Sequence, residues 1–253
     1  MSSSLGVLKT EILEPYLLID SGNTRTKAAI CLNGKVLELL IFENTELEEA
    51  KKSLLKQHFS QVLMASSGNQ SEEIQSWFLH TPFRLLSHSN NLGIEWAYTE
   101  PERLGIDRMA GMLGAHHLFP GQNVCVVDAG TCMTIDFLRA DKKHLGGLIA
   151  PGLEMRLQAM NYYTSKLPYV SKFQSDIYPG TDTNSCISGG AVWGILAEIE
   201  GHLERISPRF SGPIQLILCG GDADFLAQRI KADNFVVPDL VIQGLNAVIS
   251  NSG

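Results

Sequence analysis

Three short stretches hold residue types that could handle phosphate. Asp20-Ser21-Gly22-Asn23-Thr24 closes an apolar run, and Lys27 follows three residues later. Glycine lets a backbone approach a ligand closely, and successive N–H groups in a tight turn can hold phosphate oxygens. Asn23 and Thr24 add side-chain donors. Asp20 is placed to hold Mg²⁺ directly or through water, because Mg²⁺ prefers oxygen ligands and keeps waters. Taken alone, this stretch reads first as a hairpin turn, for which Asp, Gly and Asn are ordinary. The second stretch, Asp128-Ala129-Gly130-Thr131, changes that weighting. Two Asp–Gly turns in equivalent places could face each other across a cleft and share cations and polyphosphate. The third stretch is Leu218-Cys219-Gly220-Gly221-Asp222-Ala223. A strand, a glycine pair and a helix start present free backbone N–H groups suited to a nucleotide, although the same pattern also serves as a plain strand-to-helix turn.

The elements around these turns repeat. Tyr16 to Asp20 (Y-L-L-I-D) and Val124 to Asp128 (V-C-V-V-D) are apolar runs of buried-strand length, each ending in Asp-x-Gly. In the first copy Arg25 to Leu32 reads as a second strand, Asn33-Gly34 as a type I′ hairpin turn, and Lys35 to Phe42 as a third strand. In the second copy Thr131 to Leu138 and His144 to Ala150 are strands around a polar turn. Helices are predicted over 46–59, 103–119, 153–163, 191–206, 222–230 and 240–249, with strands at 61–65, 214–219 and 235–237. The whole is an α/β chain with hairpins opening each half. The expected boundary lies near Pro120, giving domains 1–119 and 120–253.

Composition closes other routes. Lys plus Arg is 20 against 27 Asp plus Glu, a net charge of −7 that disfavours a nucleic-acid partner held through phosphates. No apolar run approaches the roughly 18 residues that span a bilayer, so no membrane partner is expected. Residues 1–14 carry Lys9, Glu11 and Glu14 without an apolar core, unlike a signal peptide. The five cysteines are odd in number and lack C-x-x-C spacing, which points to reduced thiols in a cytoplasmic protein. Neither a Walker A sequence nor G-x-G-x-x-G is present, so a nucleotide enzyme here is neither a P-loop nor a Rossmann protein.

Two Asp–Gly hairpin turns and a late Gly-Gly-helix resemble the acetate and sugar kinase, heat-shock ATPase and actin superfamily. Tyr98 to Arg108 reads Y-T-E-P-E-R-L-G-I-D-R and precedes an apolar helix. This resembles the type III pantothenate kinase signature, in which a Tyr precedes Pro and then Leu-Gly-x-Asp-Arg. Other stretches agree in order: D-x-G-N-T-x-x-K from Asp20, V-V-D-x-G-T-x-x-T from Val126, G-G-x-I-x-P-G from Gly146, Leu167-Pro168, G-x-x-T from Gly180, and G-G-D-A from Gly220. Each is weak alone; seven in order are specific and cover the chain after Glu14. Two departures, Met109 where the family usually has Trp and Cys132 where it often has Ala, are packing variants.

The resemblance implies two duplicated ribonuclease H-like (actin-like ATPase) domains with an active-site cleft between them. It implies ATP-dependent phosphorylation of pantothenate to 4′-phosphopantothenate, the first step of coenzyme A synthesis, by a cytoplasmic homodimer. ATP would be held by Asp20, Ser21, Gly22, Asn23, Thr24, Arg25, Thr26, Lys27 and Thr131. Asp107 would be the general base, and Tyr98, Gly105, Ile106, Asp107, Arg108 and Thr183 would contact pantothenate. Arg108 would grip the acid end of the substrate, and Thr183 would reach a partner subunit's pocket. Asp128 would hold a monovalent cation, K⁺ or NH₄⁺, and Asp20 the Mg²⁺. Outside the resemblance, Asp107-Arg108 could equally be a helix-surface ion pair and Tyr98 a half-buried packing residue. Two other functions stay open: a kinase of another alcohol on the same scaffold, and a non-catalytic regulatory accessory protein.

Overall fold

The computed structural model describes residues 14–90, 92–171 and 178–251. β1 (Tyr16–Ser21), β2 (Arg25–Leu32) and β3 (Lys35–Glu43) form the first antiparallel meander, turning at Asn33-Gly34 as expected. β4 (Val62–Ser66) and β5 (Phe83–Leu85) join parallel on the other side of β1, giving the order β3-β2-β1-β4-β5. β6 (Asn123–Ala129), β7 (Cys132–Leu138) and β8 (His144–Pro151) repeat the meander. β9 (Ile214–Cys219) and β10 (Asn234–Val236) extend it in parallel, giving β10-β9-β6-β7-β8. Read from its other edge, the second sheet is the first sheet again. The two Asp-x-Gly runs therefore mark a duplicated five-stranded topology.

Alternation along the central strands decides the layers. Leu17 and Ile19 of β1 pack outward with α1 (Leu47–Leu54) and α2 (Ser71–Trp77). Cys125 and Val127 of β6 pack outward with α4 (Leu153–Tyr162), α5 (Thr183–Ile206) and α6 (Ala223–Ala227). The opposite faces, with Leu18 of β1 and Val124 and Val126 of β6, meet on α3 (Ile106–Leu118) and α7 (Leu240–Ser250), which lie between the sheets. Each Leu or Ile buried there contributes roughly 1.5–3 kcal/mol. The two helices touch backbone to backbone: a Cβ on Gly244 would lie 2.0 Å from the Ala110 carbonyl oxygen, and one on Gly114 would lie 2.2 Å from that of Leu240. α7 also ties to the first meander, where Tyr16 donates to Asn246 Oδ1 at 2.5 Å and Asn246 Nδ2 to the Gly34 carbonyl at 2.7 Å.

Several element limits differ from the sequence expectation. α1 stops at Leu54; Phe59, read as the end of that helix, reaches the core from the following loop. α3 begins at Ile106: Pro101–Arg103 forms a separate helical turn, and Leu104-Gly105 intervenes. α5 starts eight residues before Ala191, capped by Asp182 in a reciprocal box with Ser185, and runs through Gly189-Gly190. α6 is shorter than 222–230, and α2 and β5 were not foreseen.

Candidate active site

Asp20 shares the strand parity of Tyr16 and Leu18, and Asp128 that of Val124 and Val126, so both carboxylates face the layer that holds α3. Asp20 sits opposite Lys27 of β2 and Ala65 of β4; Asp128 sits opposite Thr134 of β7 and Cys219 of β9. The two turns meet, with Thr24 Oγ1 and Thr131 Oγ1 3.3 Å apart. The Gly220-Gly221 turn arrives at the same place. The Asp222 N–H donates to the Ala129 carbonyl at 3.0 Å, and a Cβ on Gly220 would lie 2.5 Å from Asp128 Oδ1. Gly221 lies beside the Arg25 guanidinium. Three stretches read separately in the sequence thus form one site between the two sheets.

The first turn is braced from behind. Gly22 N–H donates to the Arg25 carbonyl at 3.0 Å. Asn44 Nδ2 donates to the Gly22 carbonyl, the Asn44 N–H to the Thr24 carbonyl, and Thr26 Oγ1 to Asn44 Oδ1, each at 2.9 Å. The N–H groups of Ser67 and Gly68, after β4, donate to the Ser21 carbonyl at 3.0 and 3.2 Å. Ser21 and Thr26 are buried beneath the turn, whereas Asn23, Thr24 and Arg25 are exposed at its rim. Arg25 Nε donates to Glu43 at 2.6 Å, and Lys27 Nζ to the Pro238 carbonyl at 2.7 Å. Neither Asn44 nor the Ser67-Gly68 turn belongs to a motif singled out in the sequence. Their one signal is position, directly after β3 and β4.

Among the described residues, Lys27 is the charge that opposes burial at these carboxylates. Burial pushes Asp20 up to about 7; Lys27 pulls against it less strongly, and the charges of Asp128 and Asp107 add smaller upward pushes. Burial and Asp107 push Asp128 up to about 6, with Lys27 again opposing. Asp107 therefore lies within electrostatic reach of both. It is the second residue of α3, and its Oδ1 accepts the Arg108 N–H at 2.8 Å. A Cβ on Gly105 would sit 2.6 Å from that oxygen, which explains a glycine two residues before the aspartate.

Arg108 makes no ion pair with Asp107. Its Nε and Nη2 donate to Asp136 of β7 at 2.8 and 2.7 Å, and its Nη1 to the Tyr98 hydroxyl at 3.1 Å. Burial works against the charged guanidinium, and the bonds to Asp136 more than restore it. Tyr98 and Ile106 are partly buried against the inter-sheet core. Thr183 is exposed in the first turn of α5, on the outer layer of the second sheet. All five cysteines are free; Cys31, Cys125 and Cys219 are buried, and Cys132 and Cys186 are exposed. Among the described residues no group of three or more His, Cys, Asp or Glu could hold a metal ion, and no helix is long and apolar enough to cross a membrane.

Residues 16–205 match the family model described as type III pantothenate kinase. A type III pantothenate kinase of Flavobacterium johnsoniae is 37% identical over 233 residues, covering 91% of this chain and 95% of its own. One from Phocaeicola vulgatus is 34% identical over 237 residues, covering 92% and 97%. Among solved structures, the activator of the 2-hydroxyisocaproyl-CoA dehydratase from Clostridium difficile with bound ADPNP superposes with a TM-score of 0.56 at 14% identity, covering 94% of each chain. A protein described as a Baf family transcriptional activator from Campylobacter jejuni gives 0.63 at 20% identity, covering 93% of this chain and 98% of its own. These structural likenesses establish the duplicated actin-like ATPase and sugar kinase fold.

Proposed function

This chain belongs to the type III pantothenate kinase family, and we propose how its residues divide the work of that reaction. The enzyme transfers a phosphoryl group from ATP to pantothenate, giving 4′-phosphopantothenate for coenzyme A synthesis, and it uses ATP with a divalent metal. The observation that carries the reading is the convergence of Asp20, Asp107 and Asp128 at the point where Thr24 meets Thr131.

The phosphates of ATP fit at the paired turns. The N–H groups of Gly22 and Gly130 are committed to the Arg25 and Cys132 carbonyls. Those of Asn23, Thr24 and Thr131 remain to meet phosphate oxygens, with both threonine hydroxyls beside them. Arg25 and Lys27 bring positive charge to the same turn. The residues present fit cations, since two carboxylates raised chiefly by burial are hard oxygen donors short of positive charge. Mg²⁺ keeps waters and shares phosphate oxygens, so it does not need a cage of three or more protein ligands, and none is found among the described residues. Asp20 would hold Mg²⁺, directly or through water, and Asp128 K⁺ or NH₄⁺; bound there, the cations would offset the polyphosphate charge that repels an attacking oxygen.

Asp107 orients the primary hydroxyl of pantothenate and accepts its proton as the oxygen attacks the γ-phosphorus. A carboxylate is a weak base toward an alcohol, so most of its help is orientation, with proton transfer late. At the other end of the substrate, the carboxylate meets Arg108 and the Tyr98 hydroxyl. The sequence reading gave Arg108 a forked grip on that acid. One edge of the fork is held by Asp136, and the grip falls to the remaining Nη donors with Tyr98. The reading further includes a homodimer, in which the exposed Thr183 reaches a partner subunit's pocket, and a cytoplasmic location, with which five free thiols agree.

A coupled ADP-release assay with pantothenate, run in K⁺ and in Na⁺ alone, tests the reading. Turnover that requires both pantothenate and K⁺ is expected. No turnover in K⁺ would remove pantothenate as the substrate and favour another alcohol or a regulatory role.

A further inference from the structure

The sequence reading left Asp136 without a role. It is one of the most deeply buried charged groups described, 2% exposed, on the inward face of β7. A guanidinium carries five N–H donors. In Arg108 three are placed, two on Asp136 and one on Tyr98, which leaves two on the Nη atoms. The Tyr98 hydroxyl, accepting from Nη1, keeps its own proton to donate. Asp136 is itself fixed from behind by His144 of β8, whose Nε2 lies 3.0 Å from Oδ1. Burial alone would raise the Asp136 carboxyl; the hydrogen bonds from His144 and Arg108 override it and hold the group below the usual carboxylate range.

Gly147 completes the arrangement. It faces Asp136 in the β7–β8 register, and a Cβ there would lie 2.3 Å from Asp136 Oδ1 and 2.5 Å from Arg108 Nη2. The ion pair can lie against β8 because that position has no side chain. The second half of the chain thus orients an arginine carried by the inter-sheet helix α3. A long arginine stem has many rotamers to lose on binding a ligand, and a clamp set in advance removes that loss.

We propose that Asp136 is a positioning residue for the acid end of the substrate: it holds one edge of the Arg108 guanidinium, through two hydrogen bonds anchored by His144, so that the remaining Nη donors and the Tyr98 hydroxyl are aimed at a carboxylate. The inference rests on the pantothenate reading. It adds that preference for an acid over its neutral counterpart depends on a residue that need not touch the substrate.

The test compares pantothenate with pantothenol, which carries a neutral hydroxymethyl group in place of the carboxylate. In Asp136→Asn the KM for pantothenate is expected to rise on the order of 10–100-fold, while kcat and the KM for MgATP change by less than about threefold. Efficiency on pantothenol should stay near the wild-type value, so the acid preference shrinks by the same factor. Equal losses on both compounds would make Asp136 a purely structural residue and overturn the proposal. If Asp136→Asn does not fold, His144→Gln loosens the same carboxylate while leaving both charges of the pair. It should move the KM for pantothenate in the same direction by roughly 3–10-fold, and an unchanged acid preference would count against the proposal. Should the wild-type enzyme phosphorylate neither compound, the functional reading falls, and the positioning claim is read by NMR instead. The Arg108 Nε–H resonance should be protected in wild type and lost in the variant; an unchanged resonance overturns it.

Discussion

Two sets of acidic groups flank the start of α3, and they are treated in opposite ways. Asp136 is buried with every oxygen engaged, by Arg108 and His144, and its carboxyl is held low. Asp20 and Asp128 face the same layer with Lys27 as their shared cation, and both are raised, to about 7 and about 6. A paired buried charge is scaffold: taking away one partner is costly because the other stays stranded. A raised, under-compensated carboxylate is a site in waiting, whose missing charge a ligand supplies. Pairing, more than burial, separates the part of the junction that holds shape from the part proposed to hold cations and phosphate.

The largest effect should come from Asp107, which stands between the two sets. Asp107→Asn keeps the shape and one acceptor but loses the proposed base, so kcat should fall on the order of 10²–10⁴-fold, with ATP affinity nearly unchanged in a direct titration. Retention of near wild-type kcat would move the base elsewhere. Next is the paired side. Arg108→Met strands the Asp136 carboxylate, and chemical unfolding should show a loss of about 3–5 kcal/mol. The matching change on the unpaired side, Asp128→Asn, should cost no stability in the ligand-free enzyme and instead raise the K⁺ concentration needed for half-maximal rate about tenfold or more. Comparable destabilisation by the two variants would erase the contrast.

A smaller effect lies in pH. A carboxyl raised in the folded state contributes stability that is complete below its unfolded value near 3.8 and is lost as pH rises through its folded value. For Asp20 and Asp128 that window runs from about 4 to about 7. The double variant Asp20→Asn, Asp128→Asn should therefore gain stability relative to wild type as pH rises from 5 to 8, in denaturant titrations without nucleotide. Asp136 has the opposite sign: its contribution is present above 3.8 and fails as pH drops through its lowered folded value. A constant difference between wild type and the double variant across that range would deny that the two junction carboxylates are raised.

Much of this was legible in the sequence, for a reason that also sets its limit. β1, β6 and their Asp–Gly turns are local patterns: four apolar residues, an aspartate of fixed parity and a glycine. The five-stranded topology then brings Thr24 to Thr131 over 107 residues without further information. Asp136 and Asn44 could not be found that way. Asp136 earns its role from a helix 28 residues earlier, set by how α3 lies on the second sheet, and Asn44 from a turn 22 residues back. Arg108 shows the cost: its motif places it in the site, but the partner that holds one edge of its fork lies outside that motif. α5 was misread at its start because Gly189-Gly190 is a local breaker that tertiary packing overrides, with the Asp182 cap fixing the true first turn.

The contrast between paired and unpaired carboxylates is tested most directly by carbon-13 titration of the aspartate side chains in the ligand-free enzyme, assigned by single substitution. The junction should titrate in two coupled steps near 7 and near 6, belonging to Asp20 and Asp128 as a pair. Asp136 should titrate below the ordinary aspartate value. Addition of MgATP and K⁺ should pull the junction steps down and leave Asp136 unmoved. If Asp20 and Asp128 titrate near 4 without ligands, or Asp136 titrates with them, the division between scaffold and site drawn here is wrong.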